Sequence, residues 1–295
     1  MRLKKRRCRA PGLLKSKYER KEAYYRIYHY NSRVNRLGQH FLTNADVLRK
    51  IARIIVRDGG PIIEIGPGHG ELTKILLASP DIPRLIAIER DPALATALEK
   101  TFETESRFTL IRGDALHALP EAISLLDEQY TIAGNIPYYI TGHLLRTIGE
   151  LPRRPARTVL LIQKEVAERI VARPPHMNRL AAAVQFWAIP KIVGHVGRHD
   201  FRPPPKVDST VIELTTIVRK ADSRAHDRVL HALFAQPRKT ILNNLGAKGT
   251  GLAKGELPLR LAALGINPGD RPQNLSVEQV ALLASLWDNA TVRVY

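Results

Sequence analysis

The chain has 295 residues, 44% of them hydrophobic, enough for one large core and a smaller second one. No apolar run is long enough to cross a bilayer, and the single cysteine, Cys8, excludes an intramolecular disulfide framework or a cysteine-rich metal site. A formal net charge of +18 with a pI near 10.3 points to a polyanionic partner, and the lone cysteine suits a reducing, cytoplasmic compartment.

The charge is concentrated in residues 1–36, which hold 13 Lys/Arg against two acids. Arg2, Lys4, Lys5, Arg6, Arg7 and Arg9 open this extension. Tyr18, Tyr24, Tyr25, Tyr28 and Tyr30 then alternate with further basic residues. Cations for phosphates and rings for stacking suit RNA. A plain solvated tail and a misplaced start codon are the alternatives. No apolar stretch follows the charges, which argues against a secretion signal; few serines and the acids Glu19 and Glu22 argue against a mitochondrial address.

The globular pattern begins near Arg36. Gly38-Gln39-His40-Phe41-Leu42 precedes a helix expected from about Asn44, capped by Thr43 or Asn44, with Val47, Ile51 and Ile55 on one face. Pro61 to Glu71 reads PIIEIGPGHGE: a buried strand, a turn of Gly66, Gly68 and Gly70, and a helix starting near Glu71. Glycines permit positive φ and let a ligand approach bare backbone. A dinucleotide turn reads G-x-G-x-x-G and faces a pyrophosphate. Here the register is G-x-G-x-G, and the sixth position is an acid that would repel phosphate. An adenosyl ligand without phosphate, S-adenosylmethionine, fits better.

Three more strands are expected over Leu85–Ile88, Phe108–Ile111 and Thr131–Ala133. They end respectively in Glu89, in Gly113-Asp114-Ala115 and in Gly134-Asn135-Ile136-Pro137-Tyr138. Ligands of open α/β sheets bind outside the carboxyl ends of the strands, so these polar ends form one candidate site. Glu89 stands where an acid reaches ribose hydroxyls in related βαβ units, and Asp114 can accept from an adenine amine. As alternatives, Glu89 is a surface charge and Asp114 an ordinary turn residue.

Thr158–Ile162 reads as a further strand, Lys164–Ala172 as a helix stopped by Pro174 and Pro175, and Leu180–Trp187 as an apolar segment. Lys191–Val196 is the next strand expected. The run Phe201-Arg202-Pro203-Pro204-Pro205-Lys206-Val207-Asp208 reads as a stiff loop. Val211–Ile217 is expected to close the sheet. After about Arg219 the texture becomes helical: Arg224–Ala235, Pro237–Leu245, Leu257–Leu264 and Ser276–Trp287. Pro237 suits a first helical position and Ser276 with Gln279 a capping box. The expected division is therefore a basic extension (1–36), a Rossmann-like α/β domain (37–218) and a small helical domain (219–295).

The Asn-Ile-Pro-Tyr turn suits transfer to an exocyclic adenine amine, whose lone pair is delocalised into the ring. Acceptors on the amino protons, the Asn135 side-chain oxygen and the Ile136 carbonyl, redirect that pair toward a methyl group. Pro137 stiffens the turn and Tyr138 can stack on an unpaired or flipped base. No strong general base is required. Read by itself, the same tetrapeptide is also a tight turn chosen for geometry.

Taken together, GQHFL, EIGPGHGELT, IERD, GDAL, GNIPYYIT, LIQKEVAERI, FRPPPKVDSTV and PRKTILNNL occur here in one order. In them the chain resembles the bacterial ribosomal RNA adenine N6-dimethyltransferases of the small subunit, from about Arg36 to Trp287. The resemblance implies S-adenosylmethionine held by His40, Leu42, Gly66, Gly68, Glu89, Asp114 and Asn135. It also implies catalytic roles for Asn135, Tyr138 and Phe201, with a target adenine between the two rings. The implied substrate is a pair of adjacent adenosines in a hairpin loop near the 3′ end of small-subunit rRNA, within an immature subunit. The implied enzyme is monomeric, and its helical tail engages RNA. Pro237 departs from the family pattern, where a basic residue often precedes Arg-Lys-Thr. Rival readings are a large-subunit rRNA methylase of the macrolide-resistance type, a ribosome-assembly factor acting mainly by binding, and a DNA adenine methylase.

Overall fold

Apolar strands alternating with amphipathic helices dictate a layered α/β architecture. The structure, a computed structural model, describes residues 39–219, 223–246 and 255–291, so the basic extension lies outside the described residues. β1 (Phe41–Leu42) leads into α1 (Ala45–Val56). Asn44 caps α1, its side-chain oxygen accepting from the N–H groups of Asp46 at 3.0 Å and Val47 at 3.3 Å. Four strand–helix units follow: β2 (Ile62–Ile65) and α2 (Glu71–Leu77), β3 (Leu85–Glu89) and α3 (Pro92–Thr101), β4 (Phe108–Arg112) and α4 (Ala115–Ser124), β5 (Thr131–Asn135) and α5 (Thr141–Glu150). Next come β6 (Arg157–Gln163), α6 (Lys164–Ile170), α7 (Arg179–Trp187), β7 (Ala188–Val196), β8 (Phe201–Arg202) and β9 (Ser209–Thr216). The last helices are α8 (Ser223–Leu233), α9 (Ile241–Gly246), α10 (Glu256–Ala263) and α11 (Val277–Thr291). None of the described helices is long and apolar enough to cross a membrane.

Seven strands form one sheet in the order β4-β3-β2-β5-β6-β9-β7. The first five are parallel, and β9 pairs antiparallel with both β6 and β7. Strand order reverses between β2 and β5, and the crevice at such a switch point is where an open α/β sheet takes its ligand. Gly134 makes this contact possible: a Cβ there would lie 2.3 Å from the carbonyl oxygen of Ile65. β9 is the last strand in sequence but not the last in space, because it inserts between β6 and β7. β7 takes the edge, where Pro190 can sit without interrupting an interior ladder.

Alternation along each strand sends side chains to two faces. Ile63 and Ile65 join one apolar cluster with Ile86, Ile88 and residues of α4 and α5; Ile62 joins the other with Leu85 and residues of α1 and α2. Each such fully buried side chain contributes about 1.5–3 kcal/mol. At the carboxyl end of α1, the buried Arg157 donates to the carbonyls of Ile54 at 3.1 Å and Ile55 at 2.9 Å and pairs with the buried Glu213 at 2.9 Å.

A third cluster joins Val229, Leu230, Leu245, Leu261 and Val280 of the final helices, and α7 contributes Ala181 and Ala182 to it. The expected box at the start of α11 is present: Ser276 N–H donates to Gln279 Oε1 at 3.0 Å and Gln279 N–H to Ser276 Oγ at 3.2 Å. Pro237 does not open α9, which starts at Ile241. Residues 236–240 instead turn around the Asn244 side chain, whose amide donates to the carbonyls of Gln236, Lys239 and Thr240.

Candidate active site

The glycine turn after β2 has φ values of +67° at Gly66, +61° at Gly68 and +81° at Gly70, all in the region that glycine enters without strain. A Cβ on Gly68 would stand 2.9 Å from the Phe41 ring, so the turn and β1 are in close contact. β1 reaches that position through pairing with β8, Phe41 opposite Arg202 and Leu42 opposite Phe201. Two further bonds anchor this ribbon: Thr43 N–H donates to the Asp200 carbonyl at 2.8 Å, and Asn44 Nδ2 to Asp200 Oδ1 at 2.6 Å.

Under the ribbon lies a cavity of about 40 Å³ lined by Leu42, Glu64, Gly66, Gly68, Glu71 and Asn135, among others. Its lining includes two carboxylates and no Lys or Arg. This charge opposes a pyrophosphate and suits a cationic group, and at about 40 Å³ the cavity takes only part of a ligand. Glu64 is fully buried, accepts from Thr73 Oγ1 at 2.7 Å, and is pushed up to about 7 by burial.

Glu89 closes β3 and is buried. Its Oε2 accepts from Gly68 N–H at 3.2 Å and its Oε1 from Asp91 N–H at 2.8 Å. Burial raises its pKa against the opposing pull of these backbone donors. The acid is thus fastened to the glycine turn and is no loose surface charge. Asp114 caps α4 through Leu116 N–H at 3.0 Å and lies 3.3 Å from Arg90. One oxygen serves the cap and the other the guanidinium, and the residue does not line the cavity.

Asn135 is the last residue of β5 and so extends the strand beyond the expected Ala133. Its Nδ2 donates to the His40 carbonyl at 2.8 Å, which leaves its oxygen as an acceptor. His40 Nδ1 in turn donates to the Pro203 carbonyl at 2.8 Å, joining the segment before β1 to the proline loop. Tyr138 is half-buried; its hydroxyl is 2.9 Å from Ser209 Oγ and its ring centroid 6.0 Å from that of His40. Burial raises the pKa of the phenol, against the opposing pull of the Ser209 hydroxyl.

Phe201 is placed differently from the expected clamp. It is 1% exposed, packed in the cluster with Leu42, Val196 and Val211, and offers a base no open face. The structure therefore gathers Leu42, Gly66, Gly68 and Asn135 around one cavity, bonds His40 and Glu89 to that group, and sets the Tyr138 ring beside that of His40. Asp114 stands apart at its strand end. Thr73 and Ser209, which fix Glu64 and Tyr138, went unnoticed in the sequence. Both sit inside the motifs EIGPGHGELT and FRPPPKVDSTV, but only folding reveals their partners.

A mostly parallel sheet with this glycine turn, an acid closing the neighbouring strand and a polar turn at the end of β5 defines a Rossmann-like, S-adenosylmethionine-dependent methyltransferase. Comparison with known proteins narrows the class. The model of the family described as ribosomal RNA adenine dimethylase matches residues 31–288, and the chain belongs to that family. It is 38% identical over 248 residues to a ribosomal RNA small subunit methyltransferase A of Dehalococcoides mccartyi (strain CBDB1), covering 82% of this chain and 84% of the relative. It is 38% identical over 262 residues to the protein of that name from Moorella thermoacetica, with 84% and 90% covered. Among solved structures, a dimethyladenosine transferase from Plasmodium falciparum superposes with a TM-score of 0.70 at 25% identity, covering 85% of this chain and 98% of that one. The 23S rRNA methyltransferase ErmE shares the fold with a TM-score of 0.66 at 24% identity, covering 84% and 99%.

Proposed function

We propose that the chain dimethylates the N6 amines of two adjacent adenosines in a hairpin loop near the 3′ end of small-subunit (16S) rRNA, acting as a cytoplasmic monomer on an immature subunit. The observation that carries this reading is the orientation of Asn135. With its amide N–H₂ spent on the His40 carbonyl, Asn135 Oδ1 is the group left to accept a proton of the adenine amine. The donor supplies an electrophilic methyl on a sulfonium sulfur. Asn135 draws N6 density out of the ring, Tyr138 supports the base from one side, and Pro137 (φ −54°) keeps the turn from yielding. The proton on N6 leaves to water after transfer, so no general base is assigned. Gly66, Gly68, Leu42 and Glu89 hold the donor, with Asp114 and His40 at the margins. Phe201 stacks on the base only once its ring is uncovered. The final helices, with Arg238 and Lys239, engage RNA.

The small-subunit target is favoured over the large-subunit one because the relatives at 37–38% identity carry the small-subunit name, whereas the likeness to the 23S enzyme is one of fold. The test is mass spectrometry of rRNA adenosines after incubating the protein and S-adenosylmethionine with immature small and large subunits. Dimethyladenosine at two neighbouring positions of the small-subunit RNA is expected; modification confined to large subunits would overturn the assignment.

A further inference from the structure

The catalytic turn continues past Tyr138. Tyr138–Ile140 form one turn of 3₁₀-helix, in which consecutive side chains point about 120° apart. Tyr138 accordingly faces Ser209, and Tyr139 faces outward. Tyr139 is 61% exposed, the one exposed aromatic side chain among the described residues. A ring left in water four positions from Asn135 has no packing role that explains it.

What lies beyond Tyr139 is a cleft. Gly142 and Arg146 of α5 follow at helical spacing and line a cavity of about 550 Å³ shared with α7 and α8. A Cβ on Gly142 would meet nothing within 4 Å, so the helix surface between Tyr139 and the cleft is uncovered. The cleft has an apolar floor that includes Trp187, and Arg169, Arg179 and Arg228 stand exposed at its rim with Arg146. Two acids share this rim: Glu150, 2.8 Å from Arg146, and Asp227, 4.0 Å from it. The guanidinium groups outnumber them.

We infer that Tyr139 and this cleft form a track for the single-stranded RNA that adjoins the target. The unpaired base next to the adenosine in the pocket stacks on Tyr139. The phosphates beyond it follow Arg146, Arg169 and Arg179. An exposed ring followed by a cationic groove is the arrangement by which proteins hold unpaired strands, since every base offers a π-face and every step a phosphate. Continuity with Asn135 sets which nucleotide is held: the neighbour of the one being modified. This rests on the proposed RNA reading and adds where the flanking strand runs.

The test uses the full chain with three variants: Tyr139→Ala, Tyr139→Phe, and Arg169→Glu combined with Arg179→Glu. Binding to immature small subunits is measured over a range of salt, with S-adenosylmethionine affinity and thermal melts as controls. Tyr139→Ala should weaken RNA binding about tenfold, while Tyr139→Phe stays within about twofold of the parent. The charge reversal should weaken binding and flatten its salt dependence. Donor affinity and melting should not move in any of them. Parental affinity and salt slope in both the Ala variant and the reversal would overturn the track. Its failure is separable from failure of the functional reading. A parent that binds subunits but modifies no adenosine would refute the reading, and the binding series would still decide the track.

Discussion

The side-chain amide of Asn135 and the main-chain carbonyl of His40, 95 positions apart in sequence, meet at 2.8 Å. The bond fixes which end of the amide faces the base, since a carbonyl can only accept. Asn135→Ala removes the acceptor and the tether together. Turnover should fall roughly a hundredfold or more, the scale of losing one preorganised polar contact, while donor affinity changes far less. Asn135→Asp is the sharper probe. It keeps an acceptor but sets a carboxylate against the His40 carbonyl, so it should not rescue turnover. Single-turnover methylation of small subunits with calorimetric donor binding decides both: a near-parental rate in the Ala variant would remove Asn135 from the mechanism, and one in the Asp variant would remove the His40 tether from it.

The fully buried Glu64 makes stability and donor binding depend on pH in opposite senses. Its pKa is raised from 4.5 to about 7, so the folded chain keeps a proton that the unfolded chain releases. This contribution to stability is complete below about pH 4.5 and is lost as pH rises through about 7, a change approaching about 3 kcal/mol. A cation bound in the cavity favours the ionised form, so donor affinity should rise across the same window. Glu64→Gln should flatten both profiles. Urea melts and donor titrations between pH 5 and about 8 would show it; parallel profiles for parent and variant would refute the link.

Arg157 and Glu213 test the frame that carries α1. Arg157 is 5% exposed and Glu213 6%, and Arg157 also donates to two carbonyls at the end of α1. Arg157→Met leaves Glu213 buried with only Arg57, at 2.9 Å, as a partner. A loss of about 3–5 kcal/mol is expected by urea unfolding, and adding Glu213→Leu should restore much of it. Catalysis by the folded fraction should be unaffected, because this pair sits at the opposite end of the sheet from the glycine turn.

Phe201 offers a contrast with the two tyrosines. Its buried ring makes Phe201→Ala a core truncation, with about 3–5 kcal/mol of stability at stake. Donor binding and melting temperature should fall together, since Phe201 sits opposite Leu42 in the ribbon over the cavity. Phe201→Leu, which keeps apolar volume, should recover most of the stability. If the Leu variant is stable yet fails to methylate, the aromatic ring itself contacts the base.

Much of this was legible beforehand. The apolar runs of β2, β3 and β5, the glycine turn and the Asn44 cap follow from local chemistry, so their places in the chain were expected. The ribbon of β1 and β8 was not: each strand has two residues, and no periodicity exists at that length. For the same reason the proline segment reads as a stiff loop without a strand. Phe201 was expected at the pocket because the family resemblance implies it there, while burial depends on what else folds over the ring. Pro237 was misplaced because Asn244, seven residues later, supplies the turn with its hydrogen bonds.

The ribbon also orders events during synthesis. Thr43 and Asp200, which bond through Thr43 Oγ1 at 3.1 Å, lie 157 positions apart, and Phe41 has no strand partner until Arg202 has been made. A nascent chain bearing only the first four strand–helix units possesses the glycine turn and Asn135 but not the ribbon that covers them. Affinity for the methyl donor should therefore switch on late in translation, after the proline loop has left the exit tunnel.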